Sequence, residues 1–592
     1  MKSGHKTKLL TGLIISVAVT LAVTSSWNDS LIVDEIPHIG AGYSYLVKQD
    51  MRLNPEHPPL AKDLAAIPLL FLNLKKGAFE TTFWLKDLNG QWEFGRKLIF
   101  GSGNNFELIT RLSRLPLILF FVLSAIIVFV WAKKLYGDKA AFFALILFCF
   151  SSTVLAHSRF VTTDSAALFG VLSATYFFTR FLKNQDTKNL WFSGITLGIA
   201  LLAKFSTFLL LPFFFVIAIA WIWFSRGKIF ENPGEYLNVI KKTIFIFLIA
   251  FAVVWTVYGL QMLNYPAERQ QSDTQQNLQT FGNRLLAEPV VWASDKSVLR
   301  PLAQYGLGLL MAAQRSAGGN TTYFLGEVSR FGWWYYFPIV YFIKEPLAWW
   351  GLALIAVLAI SFQVKNLKFK VKSIRNWGQE YFTELAMLLW LAIYWYTSLR
   401  STLNIGVRHL LPIYPFTVIL VSGQLVKICY KFKKLLITCN LILITLLVWY
   451  IFENLYVNPY YLTYFNQTVG GPSGGYRYVV DSNLDWGQDL KRFADWVKKN
   501  NIPKIEFDYF GWADPYYYLG NRYEALNGTK YLNAVDFAAK NQTDGWLAVS
   551  VSFLQSSQGS PDQYKPVNYL WLQKHTPVTT IGNSIFVYKI SY

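Results

Sequence analysis

The sequence predicts a polytopic α-helical membrane protein with a small C-terminal soluble α/β domain, and three observations carry that prediction. Of the 592 residues, 53% are hydrophobic and only 15% are charged, whereas an ordinary soluble domain carries about 25% charge. Apolar runs of about 20 residues, the length a bilayer core demands, recur through the first three quarters of the chain. The formal net charge of +20 concentrates between alternate runs, which is a topology bias rather than a nucleic-acid surface. A single soluble globule is therefore excluded. Cys149, Cys429 and Cys439 lie in or beside apolar runs and suggest neither a disulfide framework nor a metal cluster.

The first run follows Lys2, Lys6 and Lys8 and reaches about Val23. With no small-residue cleavage site before the polar segment 25–34, it reads as an uncleaved first span. Further runs begin near Leu115, Ala140, Ser165, Leu190, Thr207, Thr243, Pro338, Leu385, Val407 and Leu435, so about 11 transmembrane helices are expected. The stretch 190–224 is ambiguous: as one helix it would rise about 52 Å, too long for one crossing. Read as a hairpin, it places the basic segments 133–139, 180–188, 226–242, 365–375 and 427–434 on the same side as residues 2–8. The positive-inside rule then puts the N-terminus in the cytoplasm and the C-terminus outside. Residues 1–453 form the membrane domain, with outer loops 27–114 and 263–337.

Residues 454–592 read as the extracytoplasmic α/β domain. Segments 476–480, 504–510, 545–553 and 584–590 have the aromatic and β-branched content of strands. Leu490, Phe493, Ala494 and Val497 share one helix face.

Candidate chemistry gathers at the outer ends of the spans. Asp34 and Glu35 follow the first span and precede a helix pattern through Ile36, Ile39, Tyr43 and Leu46. Asp34 is either the cap of an interfacial helix or a general base at the mouth of a cavity. The run NPEHPPLAK either opens a helix at its double proline or offers Glu56 and His57 to a divalent ion shared with Asp34. Asp164 lies between two apolar runs, where an acid is costly, and otherwise caps the span that follows. Lys204 sits at the tip of the hairpin, where it snorkels or serves the site. Lys344, Arg400, Arg408 and His409 fall at outer ends of spans. Arg408 and His409 begin an apolar run, at the helix end whose dipole repels cations. A bound phosphate or an outer-loop carboxylate offsets that cost. Asp481, Asp485 and Asp489 read as caps and solvated acids rather than a metal site.

The early Asp-Glu pair, HPPLAK, LAHSRFVTTDSAALF, GIALLAKFSTFLLLP, TTYFLGEVSRFGWWYYFPIVYFIKEPL, LNIGVRHLLPIYPF and YYLTYFNQTVGGPSGGYRYVVDSNLDWGQDLKRF occur in an order and spacing that resemble a known family. They are similar to phospholipid-carrier-dependent glycosyltransferases of the GT-C superfamily, relatives of the dolichyl-phosphate-mannose protein mannosyltransferases (glycosyltransferase family 39). The resemblance implies a plasma-membrane enzyme that passes a sugar from a polyprenyl-phosphate donor to an extracytoplasmic protein, lipid or glycan acceptor by inverting displacement. It assigns Asp34 as the base, Glu35 as its neighbour and Asp164 as a second acid. It gives Arg408, with His409, Lys344 and Lys204, the donor phosphate. His57 is the one residue it leaves for a divalent cation, and no other cofactor is implied. The loop 263–337 is too short for the β-trefoil domains of eukaryotic mannosyltransferases. Tyr335 and Tyr336 follow Trp333-Trp334 where an oligosaccharyltransferase would carry an acid. A lipid-carrier flippase would need polar residues in mid-membrane on several spans, which these runs lack. A non-catalytic partner, binding through the C-terminal domain, is the remaining alternative.

Overall fold

The computed structural model describes residues 2–225, 233–364, 371–431, 436–541, 545–558 and 569–590. Parts of three basic segments, 226–232, 365–370 and 432–435, lie outside them. Among the described residues, eight helices are long and apolar enough to cross a bilayer unaided. The remaining expected spans differ for physical reasons. Phe106–Cys149, 44 residues long, breaks at Gly137, whose φ of 84° and ψ of −179° only glycine adopts without strain. Thr187–Ala203 has 17 residues, about 25 Å of rise, and ends where Lys204 turns extended (φ −160°, ψ 142°). The stretch 190–224 is therefore two helices. The span expected from Pro338 is bent by 112° between Tyr336–Lys344 and Leu347–Ser361.

One end of the helix bundle brings Asp164 and Lys204 together. Helix Thr163–Asn184 carries Asp164 in its first turn and Lys183 in its last. Its 22 residues separate those charges by about 30 Å, so the basic segment 180–188 lies at the end remote from Asp164. Lys204 returns to the Asp164 end through Thr187–Ala203.

The first outer loop builds a cap over that end. Helix Glu35–Lys48 is buried without interruption from Glu35 to Tyr45, so it is not the interfacial helix the sequence suggested. Helix Leu60–Ala66 begins directly after Pro58-Pro59, as double proline predicts. It crosses so close to Gly42 that a Cβ there would strike the Lys62 carbonyl. Lys62 is fully buried and donates to Tyr45 Oη, the Asn54 carbonyl, Asn54 Oδ1 and the His57 carbonyl at 2.7–3.0 Å. In the second outer loop, strands β1 (Thr322–Phe324) and β2 (Glu327–Ser329) pair antiparallel. Leu325 and Gly326 both have positive φ, as a two-residue hairpin turn requires.

The C-terminal region holds a mixed five-stranded sheet of β3 (Ile505–Asp508), β4 (Tyr523–Ala525), β5 (Gly545–Ser550), β6 (Thr579–Ile581) and β7 (Ile585–Ile590), in the order β4-β3-β5-β7-β6. β3 runs parallel to β4 and β5, while β7 is antiparallel to β5 and β6. The expected helix face is buried on Leu490–Lys499, with the Phe493 ring 4.4 Å from that of Phe507. Segment 476–480 is not a strand: its backbone turns as a 3-10 helix at Gly475–Arg477, and Val479 makes only a single bridge, to Phe324. Buried apolar residues of both regions form one continuous core.

Asp485 and Asp489 are buried, each 1% exposed, and are not the solvated acids expected. Asp489 accepts from Arg492, Gln488 and Ser584. Asp485 accepts the Ser552 amide at 3.1 Å, and its Oδ1 has no partner. Burial pushes its carboxyl up from 3.8 to about 8, so it is neutral in the fold at pH 7 and ionised when unfolded. A carboxyl raised in this way gives stability that is full below pH 4 and is lost as pH rises through 8. Asp485→Asn keeps the neutral shape, so its melting temperature exceeds the wild type's by about 3 °C at pH 8, and the gap narrows toward pH 5. An equal gap at both pH values would contradict this.

Candidate active site

Asp34 is placed from two directions. The chain leaving the first span is tied to the C-terminal region, with the Ser30 amide on the Gln488 carbonyl at 2.9 Å and the Val33 amide on the Trp486 carbonyl at 3.0 Å. Helix Glu35–Lys48 begins at the next residue, yet the Asp34 side chain makes no capping bond. It accepts from Arg408 Nη1 at 2.6 Å and keeps 21% of its surface exposed, toward a cavity of about 580 Å³. The capping role is thereby set aside.

Glu35 points elsewhere. Its carboxylate is fully buried, receives Arg114 Nε at 2.8 Å and Nη2 at 2.6 Å, and accepts the amides of Ile32 and Val161 at 3.0 Å. Every acceptor position it has is used, and it does not line the cavity. Expected as a neighbour of the base, it is instead the anchor of the outer loop.

Asp164 is 1% exposed and lies behind the cavity wall. Its Oδ1 is 2.5 Å from Lys204 Nζ and its Oδ2 3.4 Å from Arg408 Nη1. The cap of its helix is Thr162, so Asp164 acts as counter-ion to two cations that do reach the cavity. Arg408 follows Gly406 at the start of Val407–Ile413. The cost of a cation there is offset by Asp34 and Asp164, the carboxylate alternative read from the sequence. The guanidinium also lies 4.2 Å from the Trp486 ring, and its Nε has no partner.

Lys204, Arg408 and His409 line the cavity with Asp34, and His409 Nε2 is unpartnered. Lys344 does not join them. It is buried, donates to the carbonyls of Leu462 and Asn483, both at 2.8 Å, and lies 4.3 Å from the Phe465 ring. It fastens a membrane helix to the C-terminal region. Two further cations line the cavity, Arg315 and Arg400, and among the described residues neither meets a carboxylate. Arg315 escaped the sequence reading because the long outer loop hides its helix, Arg300–Gly318. The cavity wall also holds Glu56, Gln91 and Trp92. Gln91 Nε2 donates to Glu56 at 2.5 Å, and Trp92 stacks on Trp512 at 5.0 Å.

His57 lies on that wall too, its ring edge-to-face with His38 at 5.1 Å. Burial, with His38 and Lys62 nearby, holds it well below 6.5, so it is neutral at pH 7. Among the described residues, no three His, Cys, Asp or Glu side chains converge as metal ligands. The donor set does not fit a divalent cation at His57.

Residues 103–256 match the family model described as dolichyl-phosphate-mannose-protein mannosyltransferase. No curated protein matches the chain. Among solved structures, the protein O-mannosyltransferase Pmt1-Pmt2 complex of S. cerevisiae bound to the sugar donor is 20% identical, with TM-score 0.35, over 44% of this chain. The match spans only 34% of that yeast chain. ArnT from Cupriavidus metallidurans bound to undecaprenyl phosphate is 12% identical, with TM-score 0.44, over 98% of this chain and 97% of its own. The oligosaccharyltransferase AglB from Archaeoglobus fulgidus, in complex with an inhibitory peptide and a dolichol-phosphate, is 12% identical, with TM-score 0.44, over 93% of this chain and 71% of its own. The stretch matched by the family model contains Arg114, Asp164 and Lys204, and the rest of the chain lies outside that match.

Proposed function

We propose that the chain is a multi-pass plasma-membrane glycosyltransferase that moves a sugar from a polyprenyl-phosphate donor to an acceptor hydroxyl on the extracytoplasmic side. The observation that carries this reading is the cavity itself: a partly exposed carboxylate, Asp34, held beside Arg408 and Lys204, with Arg315, Arg400 and His409 around the same space. Sidedness is supported by the basic segment 180–188, which starts at the end of helix Thr163–Asn184 remote from Asp164.

The acceptor oxygen attacks the anomeric carbon as the bond from that carbon to the donor phosphate breaks. Asp34 takes the hydroxyl proton. The electron pair leaves with the polyprenyl phosphate, which gains a negative charge. Fixed cations aimed at the departing oxygen lower that barrier because they need no reorganisation. A single displacement inverts the anomeric centre, in keeping with Asp34 as the carboxylate that both lines the cavity and pairs with a cation there; Asp164 is enclosed by Lys204 and Arg408. Mannose is the first donor sugar to test, on the family description over residues 103–256.

The test is transfer in proteoliposomes from polyprenyl-phosphate mannose, read as release of polyprenyl phosphate. Carrier movement across the bilayer without product would favour the flippase instead. Arg315→Ala removes a charge-assisted contact to the leaving group, so donor KM rises about tenfold with little change in acceptor KM. An unchanged donor KM would remove Arg315 from the phosphate site.

A further inference from the structure

The segment 481–489 belongs by sequence to the C-terminal domain, yet it is bonded to the residue before each partner of the Asp34–Arg408 pair. On the Asp34 side, the Trp486 carbonyl holds the amide of Val33, one residue before Asp34, at 3.0 Å. On the Arg408 side, Asn483 Oδ1 accepts the amide of Val407, one residue before Arg408, at 2.9 Å. Ser482 Oγ donates to the Ile405 carbonyl at 2.5 Å. Between these two anchors the Trp486 ring, 2% exposed, supports the guanidinium at 4.2 Å.

The segment is itself held by the sheet region. Ser584 on the β6–β7 turn donates to Asp489 at 2.7 Å, Ser552 after β5 donates its amide to Asp485, and Tyr509 Oη donates to the Gly487 carbonyl at 2.6 Å. The position of the ion pair is thus referred to the C-terminal sheet from both sides.

We infer that residues 481–489 are a positioning element of the catalytic centre, with Trp486 orienting Arg408 so that one guanidinium aligns Asp34 and meets the leaving phosphate. This rests on the glycosyltransferase reading and deepens it. Trp486 touches neither substrate nor the reacting atoms; it acts through Arg408. A buried cation over an indole face is attracted by the ring quadrupole, so the contact fixes orientation as well as filling space.

The experiment separates those two roles. Site-specific incorporation of mono-, di- and trifluorotryptophan at position 486 weakens the negative face of the ring stepwise while keeping its shape. Transfer from polyprenyl-phosphate mannose is then followed in proteoliposomes, with Trp486→Phe and Trp486→Leu alongside. The expected result is a stepwise fall in kcat, about tenfold by the trifluoro ring, at unchanged acceptor KM and melting temperature. Phe, which retains a π face, remains more active than Leu. A flat fluorination series in an active enzyme overturns the inference even if Leu fails to fold. A wild-type chain without transfer, or an Asp34→Asn variant that retains it, overturns the underlying reading instead.

Discussion

Asp34→Asn is expected to lower sugar transfer by about 10²–10⁴-fold, the range that a positioned general base contributes, while the protein remains folded. The substitution keeps an oxygen for the Arg408 hydrogen bond and removes only the basicity. Among the described residues nothing else donates to this side chain: it makes no capping bond, and Arg408 retains Asp164. The measurement is kcat in proteoliposomes beside a melting curve of the same sample. A loss of less than about tenfold would mean that another group, or water, takes the acceptor proton.

The neighbouring residue gives the opposite outcome. Glu35→Gln is expected to destabilise the protein by about 3–5 kcal/mol, because removing one member of a buried ion pair strands its partner. Arg114 is 6% exposed and otherwise donates to the carbonyls of Ser26, Asp29 and Ser30 and lies 5.2 Å from the Phe160 ring, and none of these contacts replaces the bidentate Glu35 carboxylate. Glu35→Gln combined with Arg114→Met should recover much of the loss, since apolar replacement of a whole buried pair is often close to neutral. Thermal melts of the single and double variants check this. A Glu35→Gln protein with normal melting behaviour and no transfer would place Glu35 in the chemistry after all.

These two adjacent acids mark the boundary of what the sequence discloses. The spans were legible because bilayer thickness imposes a length on apolar runs, and the break at Lys204 followed from charge bias alone. The helix after Pro58-Pro59 and the buried face of Leu490–Lys499 were legible because proline chemistry and helical periodicity are local. Partners across the fold were not. Lys344 looks like a free cation at the end of a span, yet its acceptors are carbonyls 118 and 139 residues away. Glu35 differs from Asp34 only in the direction it faces, which Arg114, 79 residues on, determines. Spacing made Asp485 and Asp489 look solvated, and packing against β5 and the β6–β7 turn buries them. Arg315 had no local signal at all, since a cation in a long outer loop is ordinary until the helix around it is placed.

The bonds from Ser30 and Val33 to the carbonyls of Gln488 and Trp486 also bear on how the protein is made. The partners of segment 30–33 are synthesised more than 450 residues after it. Closing so long a loop adds only logarithmically to the entropic cost, so the delay is one of timing rather than stability. Until translation passes residue 489 and that segment reaches the same side of the membrane, Asp34 has no fixed place. A ribosome-bound intermediate can therefore hold most of its helices in the bilayer before the pairing of residues 30–33 with 486–488 is made. The tie that fixes the approach to Asp34 thus forms after the segment around residue 489 is made, not when the membrane helices insert.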